Sequence, residues 1–151
     1  MAERLDAPQA EPTENEWIQG LTAMRTAMLK ETDARIVLGG RVDGYKGAMP
    51  GIAEEALLSL QAGQPLFLIG GFGGCSRDLA ETLGLIEPWA ASRPQWRGRE
   101  AFVPYQGTDL KNGLTPDENA ILVRTPHVDQ AVTLIIHGLL ALSGRHPSPT
   151  Q

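Results

Sequence analysis

Hydrophobic residues alternate with polar ones along this chain in two distinct rhythms. Residues 17–30 place Trp17, Leu21, Met24 and Met28 near one helical face, with Thr13 or Asn15 in position to cap the start. Residues 35–40 then form a short apolar run, Arg35-Ile36-Val37-Leu38, closed by Gly39-Gly40. A helical stripe returns over 52–62 in Ala53, Ala56, Leu57 and Leu60, with Glu54 and Glu55 in the first turn. Next comes Pro65-Leu66-Phe67-Leu68-Ile69, wholly apolar and uncharged, which breaks into Gly70-Gly71-Phe72-Gly73-Gly74. Such a run suits a strand buried on both faces. A helix follows over about 76–83, ended by Gly84. Residues 119–124 read as a third strand, and 127–142 as an amphipathic helix with Val128, Ala131, Val132, Ile135 and Leu139 inward.

The pattern predicts an α/β fold, a Rossmann-like three-layer sandwich with a small, mainly parallel sheet flanked by helices. Residues 38–68 have the size of a strand–helix–strand crossover, which makes its two strands parallel. Both glycine turns then fall at the carboxyl ends of their strands, where open α/β sheets bind ligands. The turn at 70–74 leads into a helix whose first N–H groups and dipole attract anions. It matches neither strict dinucleotide glycine fingerprint nor P-loop. Gly39, Gly40, Arg41, Lys46, Gly70, Gly71, Phe72, Gly73 and Gly74 are the ligand-binding candidates. Arg77 is a further cation near the second turn.

The remaining segments carry less pattern. Residues 1–15 are a flexible leader, 16–143 the domain and 144–151 a polar tail. Residues 86–116 hold Trp89, Trp96, Phe102 and Tyr105 among prolines and glycines, a length and composition that suit a functional flap. Tyr45, Trp89, Trp96 and Tyr105 are each able to stack on a base or to pack in the core. The strand expected before the first helix is missing. That implies association with another copy or partner, or a chain that is the latter part of a larger domain.

Composition narrows the function. The 151 residues are 42% hydrophobic and 21% charged, with a net charge of −5, which argues against nucleic-acid binding through a broad basic face. No apolar run is long enough to span a bilayer, and the first residues lack a signal peptide's apolar centre. The single cysteine, Cys75, excludes an internal disulfide and suits a cytoplasmic protein. His127, His137 and His146 have no metal-ligand spacing, so no metal is expected. Glu54 and Glu55 are the weak catalytic candidates. They can serve a ribose hydroxyl or act as a general base, or simply favour the helix dipole.

The stretches Asp33 to Arg41, Gly44 to Gly47, Pro50 to Ala56 and Pro65 to Gly74 resemble the SLOG superfamily, Rossmannoid domains related to the SMF/DprA and LOG proteins. The likeness is greatest to bacterial SLOG clusters found with TIR and Sir2 effectors in anti-phage defence. The resemblance implies a binding module that senses a nucleotide-derived signal of the ADP-ribose or cyclic ADP-ribose type and regulates a TIR or Sir2-type effector. It also implies association into a homo-oligomer, and no required cofactor beyond the nucleotide ligand. The LOG enzymes, which cleave nucleotide N-glycosidic bonds, use a PGGxGTxxE motif. Gly70 to Asp78 keeps the glycines but lacks the threonine and the glutamate, so that chemistry stands as an alternative, beside a purely structural oligomerisation domain.

Overall fold

A computed structural model describes residues 10–88 and 95–144. The 1–9 part of the leader, Trp89, His146 and the tail from 145 lie outside these residues. The element order is α1 (Glu14–Lys30), β1 (Arg35–Leu38), α2 (Gly51–Ala62), β2 (Leu66–Ile69), α3 (Gly74–Thr82), 3-10 turns at Arg99–Phe102 and Gly107–Leu110, α4 (Pro116–Leu122) and α5 (Val128–Leu142).

Local chemistry accounts for the boundaries. Thr13 and Glu16 form a capping box at the start of α1, the Glu16 carboxylate accepting from the Thr13 N–H at 2.7 Å. Gly63 ends α2 with φ 64°, a left-handed value that glycine adopts without strain. β1 and β2 pair in parallel, with Arg35 opposite Leu66 and Leu38 opposite Ile69. Between them α2 makes the expected crossover.

The sheet has one well-filled face and one partly filled face. On the first, Val37, Leu66 and Leu68 pack with α2, α3, Trp96 and Phe102 in the main core. On the second, Phe67 and Ile69 pack with Leu122 of α4 and Ala131 and Ile135 of α5. This is a small α/β Rossmann-like fold, with a helical layer on each side of a two-stranded parallel sheet.

Three expectations are corrected. Residues 119–124 are not a strand: they belong to α4 and the turn after it. Thr115 and Glu118 form a capping box with Pro116 at the first helical position, and those terminal signals outweigh the apolar Ile121-Leu122-Val123 run. Asn119 is buried against Asn112, whose Nδ2 donates to the Leu66 carbonyl at 2.9 Å on the outer edge of β2. The Leu66 carbonyl on that edge is thus bonded by a side chain rather than by a third strand.

The described part of the 86–116 connection is not a loose flap. Trp96, Phe102 and Leu110 are buried, and the Trp96 and Phe102 rings meet edge to face at 6.1 Å. Aromatic burial anchors a segment without periodicity.

The α5 stripe is not wholly inward. Ala131 and Ile135 are buried, whereas Val128, Val132 and Leu139 are exposed. The two-stranded sheet is too narrow to cover all five.

Candidate functional site

The two glycine turns meet, and they meet directly. The Cys75 N–H donates to the Gly40 carbonyl at 3.0 Å and the Ser76 N–H to the Gly39 carbonyl at 2.9 Å. Ser76 Oγ donates to the Ile69 carbonyl at 2.8 Å, tying the same helix start to the end of β2. Two of the first N–H groups of α3 are therefore capped by the first turn.

The space around each glycine separates packing from ligand access. A Cβ on Gly71 would lie 1.9 Å from the Thr125 carbonyl oxygen, and one on Gly70 2.5 Å from that of Val123. A Cβ on Gly74 would meet the Gly40 oxygen at 2.7 Å, and one on Gly40 would meet Ile52 at 2.5 Å. These four glycines let backbone and side chains approach one another. Gly39 and Gly73, with φ of 61° and 78°, have nothing within 4 Å of that position. They alone among the six face open space.

The charged candidates differ in their surroundings. Arg41 is exposed, directly after Gly40. Lys46 stands with its Nζ 4.2 Å from the centre of the Trp17 ring of α1, a cation–π contact. Phe72 is 50% exposed at the tip of the second turn, so its ring is available for stacking. Arg77 is turned away: its Nε pairs with Glu81 at 3.2 Å, and it lines a cleft with Leu85, Ile86, Glu87 and Arg124.

Tyr45 accepts a hydrogen bond from the Arg97 backbone N–H at 3.1 Å, which lowers its phenol pKa. This closes the 41–50 loop against the 95–99 segment. Trp96 is buried, its Nε1 donating to Asp78 at 3.3 Å, and Tyr105 is half-buried against the core.

Glu54 and Glu55 are engaged in a buried ion-pair cluster. Arg25 and Thr22 of α1 donate to Glu54, Arg35 pairs with Glu55 at 2.9 Å, and Arg25 lies 3.9 Å from Glu55. Arg25, Arg35 and Glu54 are each less than 10% exposed. The pair joins α1, β1 and α2, and this arrangement positions helices rather than a substrate. The cluster also explains two glycines of the loop: a Cβ on Gly51 would lie 2.6 Å from Arg25 Nη2, and one on Gly47 3.3 Å from Nη1. Sequence reasoning missed Arg25, because nothing in a helical stripe marks an arginine for burial.

The thiol of Cys75 is buried and its pKa is pushed up to about 12, chiefly by desolvation and then by the negative charge of Asp78. It is a packed residue, not a nucleophile. His137 pairs with Glu118 at 2.9 Å, and no group of three metal-binding side chains exists among the described residues. No helix among them is long and apolar enough to cross a membrane. A separate cleft at the opposite end of β2, lined by Leu85, Thr108, Lys111, Asn112 and Asn119, contains none of the ligand-binding or catalytic candidates.

No curated protein and no solved structure matches the chain. A family model does match, that of SLOG cluster2, over residues 1–122. That span contains both glycine turns, the crossover between them, the buried ion-pair cluster and α4. With both turns joined at the carboxyl end of a parallel sheet, this chain belongs to the SLOG cluster2 family.

Proposed function

We propose that this chain is a binding module for a nucleotide-derived signal of the ADP-ribose or cyclic ADP-ribose type. The observation that carries the reading is the rim made by Gly39 and Gly73. There the Cβ positions of both glycines face open space at the carboxyl end of the sheet, and the exposed Arg41 follows directly after the first turn. Membership of a SLOG family supports a nucleotide-related role. A diphosphate on this rim takes charge-assisted bonds from Arg41 and Lys46, and the exposed ring of Phe72 offers a base a stacking surface.

The signalling consequence runs through Lys46. Its contact with Trp17 links the glycine-rich loop to α1, so a ligand that draws Lys46 away alters how α1 is held. In this reading the domain regulates an associated effector of the TIR or Sir2 type in bacterial defence. A hydrolytic role is less well supported, because Glu54 and Glu55 are committed to Arg25 and Arg35.

The test is to incubate the purified chain with NAD, ADP-ribose, cyclic ADP-ribose and nucleoside monophosphates. Melting temperature and product formation are followed together. The proposal expects stabilisation by an ADP-ribose type ligand without turnover. Product release points instead to an N-glycosidic hydrolase, and no shift with any of them contradicts nucleotide sensing.

A further inference from the structure

The cleft at the far end of β2 has the size and lining of a site in its own right. It opens between the chain that leaves α3 and the 106–116 segment that leads into α4, and it encloses about 640 Å³. Sites for small molecules run from roughly 300 to 1,000 Å³. α3 separates this cleft from the glycine rim: Gly73 precedes the helix, and Leu83, Gly84 and Leu85 follow it.

The lining combines apolar surface, neutral donors and one charge. Leu83, Leu85 and Leu114 supply the apolar part. Asn112 and Asn119 are buried and spend their amides on each other, on the Leu66 carbonyl and on the Leu114 N–H, so they form a fixed wall. Gln106 caps the backbone of Asp109 with its side chain, and its amide N–H groups remain as donors. Thr108 adds a hydroxyl. Lys111 is the only ionisable residue among the twelve that line the cleft, so the field there has one sign.

The same lysine is strained. Among the described residues it alone, glycines apart, has a positive φ, 47°. It closes the 3-10 turn Gly107–Leu110 in the left-handed region, where a Cβ costs energy and glycine costs none. Its Nζ lies 3.2 Å from the Cβ position of Gly63, at the end of α2, and no hydrogen bond or ion pair among the described residues engages it. A cation beside a helix C-terminus gains from the dipole without needing a left-handed backbone. A lysine kept where glycine would sit at ease therefore points to a role in the cleft.

We infer that this cleft is a second ligand site, for a small organic monoanion. Its carboxylate bonds the Lys111 ammonium, with Gln106 and Thr108 as further donors, and its apolar body lies along Leu83, Leu85 and Leu114. One cation and no acid in the lining suit a single negative charge rather than a diphosphate. The inference does not rest on nucleotide binding at the rim.

The test is a titration of the isotope-labelled chain with hydrocinnamate, read by backbone amide shifts in two-dimensional NMR. Saturable shifts are expected at 83–85 and 106–114, with none at 39–41 or 70–74. The neutral amide of the same acid should bind about tenfold more weakly or worse, and inorganic phosphate should leave the cleft signals in place. Lys111→Gly removes charge and strain together, so it should melt no lower than the native chain and lose about tenfold or more in affinity. Lys111→Met should show the same loss of affinity, and Lys30→Met, at the end of α1, none. The proposal is overturned by the absence of saturable shifts at the cleft, or by an amide that binds as well as the acid. It is overturned equally by a folded Lys111→Gly chain that binds like the native one, or by one that melts below it, which would assign the lysine to holding α2.

Discussion

The two glycine turns look alike in sequence and behave differently in the structure. The first, Gly39-Gly40, contributes carbonyls: both accept N–H groups from the start of α3. The second, Gly70 to Gly74, contributes closeness, because Gly70 and Gly71 lie against the chain after α4 and Gly74 lies against the first turn. Each turn keeps one glycine, Gly39 or Gly73, whose Cβ position has no atom of the protein within 4 Å. A glycine cluster therefore combines two demands, and only the surrounding space tells them apart.

The strongest way to break this division is Gly71→Ala. A Cβ 1.9 Å from a backbone oxygen forces β2 and the 123–125 segment apart. The expected loss is about 4 kcal/mol or more, read by urea denaturation. A variant as stable as the native chain would mean that the second turn is not a packing device.

Glu54→Ala comes next. It leaves Arg25 buried without its main partner, and the expected cost is about 3–5 kcal/mol. Replacing Arg25 and Glu54 together with Leu and Met should cost less than either single loss, which a double-mutant cycle detects. Additive costs would argue against a coupled pair.

Arg41→Ala acts on the rim and not on the core. It should leave stability nearly unchanged while weakening an ADP-ribose type ligand by about 1.5–3 kcal/mol in calorimetry. Lys30→Ala, at the end of α1, is the control and should do little. Equal losses would show only long-range attraction.

The smallest effect is expected far from the rim, at Glu118. Its carboxyl pKa is lowered, first by the Thr115 N–H and also by His137. A depressed carboxylate contributes stability above its ordinary value of 4.5 and loses it as pH falls through the lowered value. Glu118→Gln should therefore cost less than about 1 kcal/mol at neutral pH. Urea midpoints of the two proteins should converge in acid, and a gap that widens there would reverse the sign.

Much of the fold was legible because its signals are local. The crossover from β1 through α2 to β2 follows from apolar periodicity and glycine punctuation. Gly84 marks a helix end that the structure keeps, with φ of 70°. α4 was misread because its apolar run was weighed above Thr115, Pro116 and Glu118, which together announce a helix start. The ion-pair cluster was not legible at all. Arg25 and Glu54 are 29 residues apart and acquire meaning only when α1 and α2 pack. Among the site candidates, the sequence could name the glycines but not their roles, since those depend on atoms contributed by Thr125, Val123 and Ile52.

The most direct measurement compares Gly73→Ala with Gly84→Ala in ADP-ribose titrations by calorimetry. Both glycines have positive φ, 78° and 70°, and neither has a neighbour within 4 Å of its Cβ position, but Gly73 also has ψ −154°, a region that glycine alone enters readily. One precedes α3 at the rim and the other follows the helix at its far end. Both substitutions should cost stability through backbone strain, about 1–3 kcal/mol each with Gly73→Ala the larger, so binding is compared under conditions in which both variants are folded. The account predicts that Gly84→Ala binds like the native chain and Gly73→Ala does not bind. Equal binding by both folded variants would contradict it.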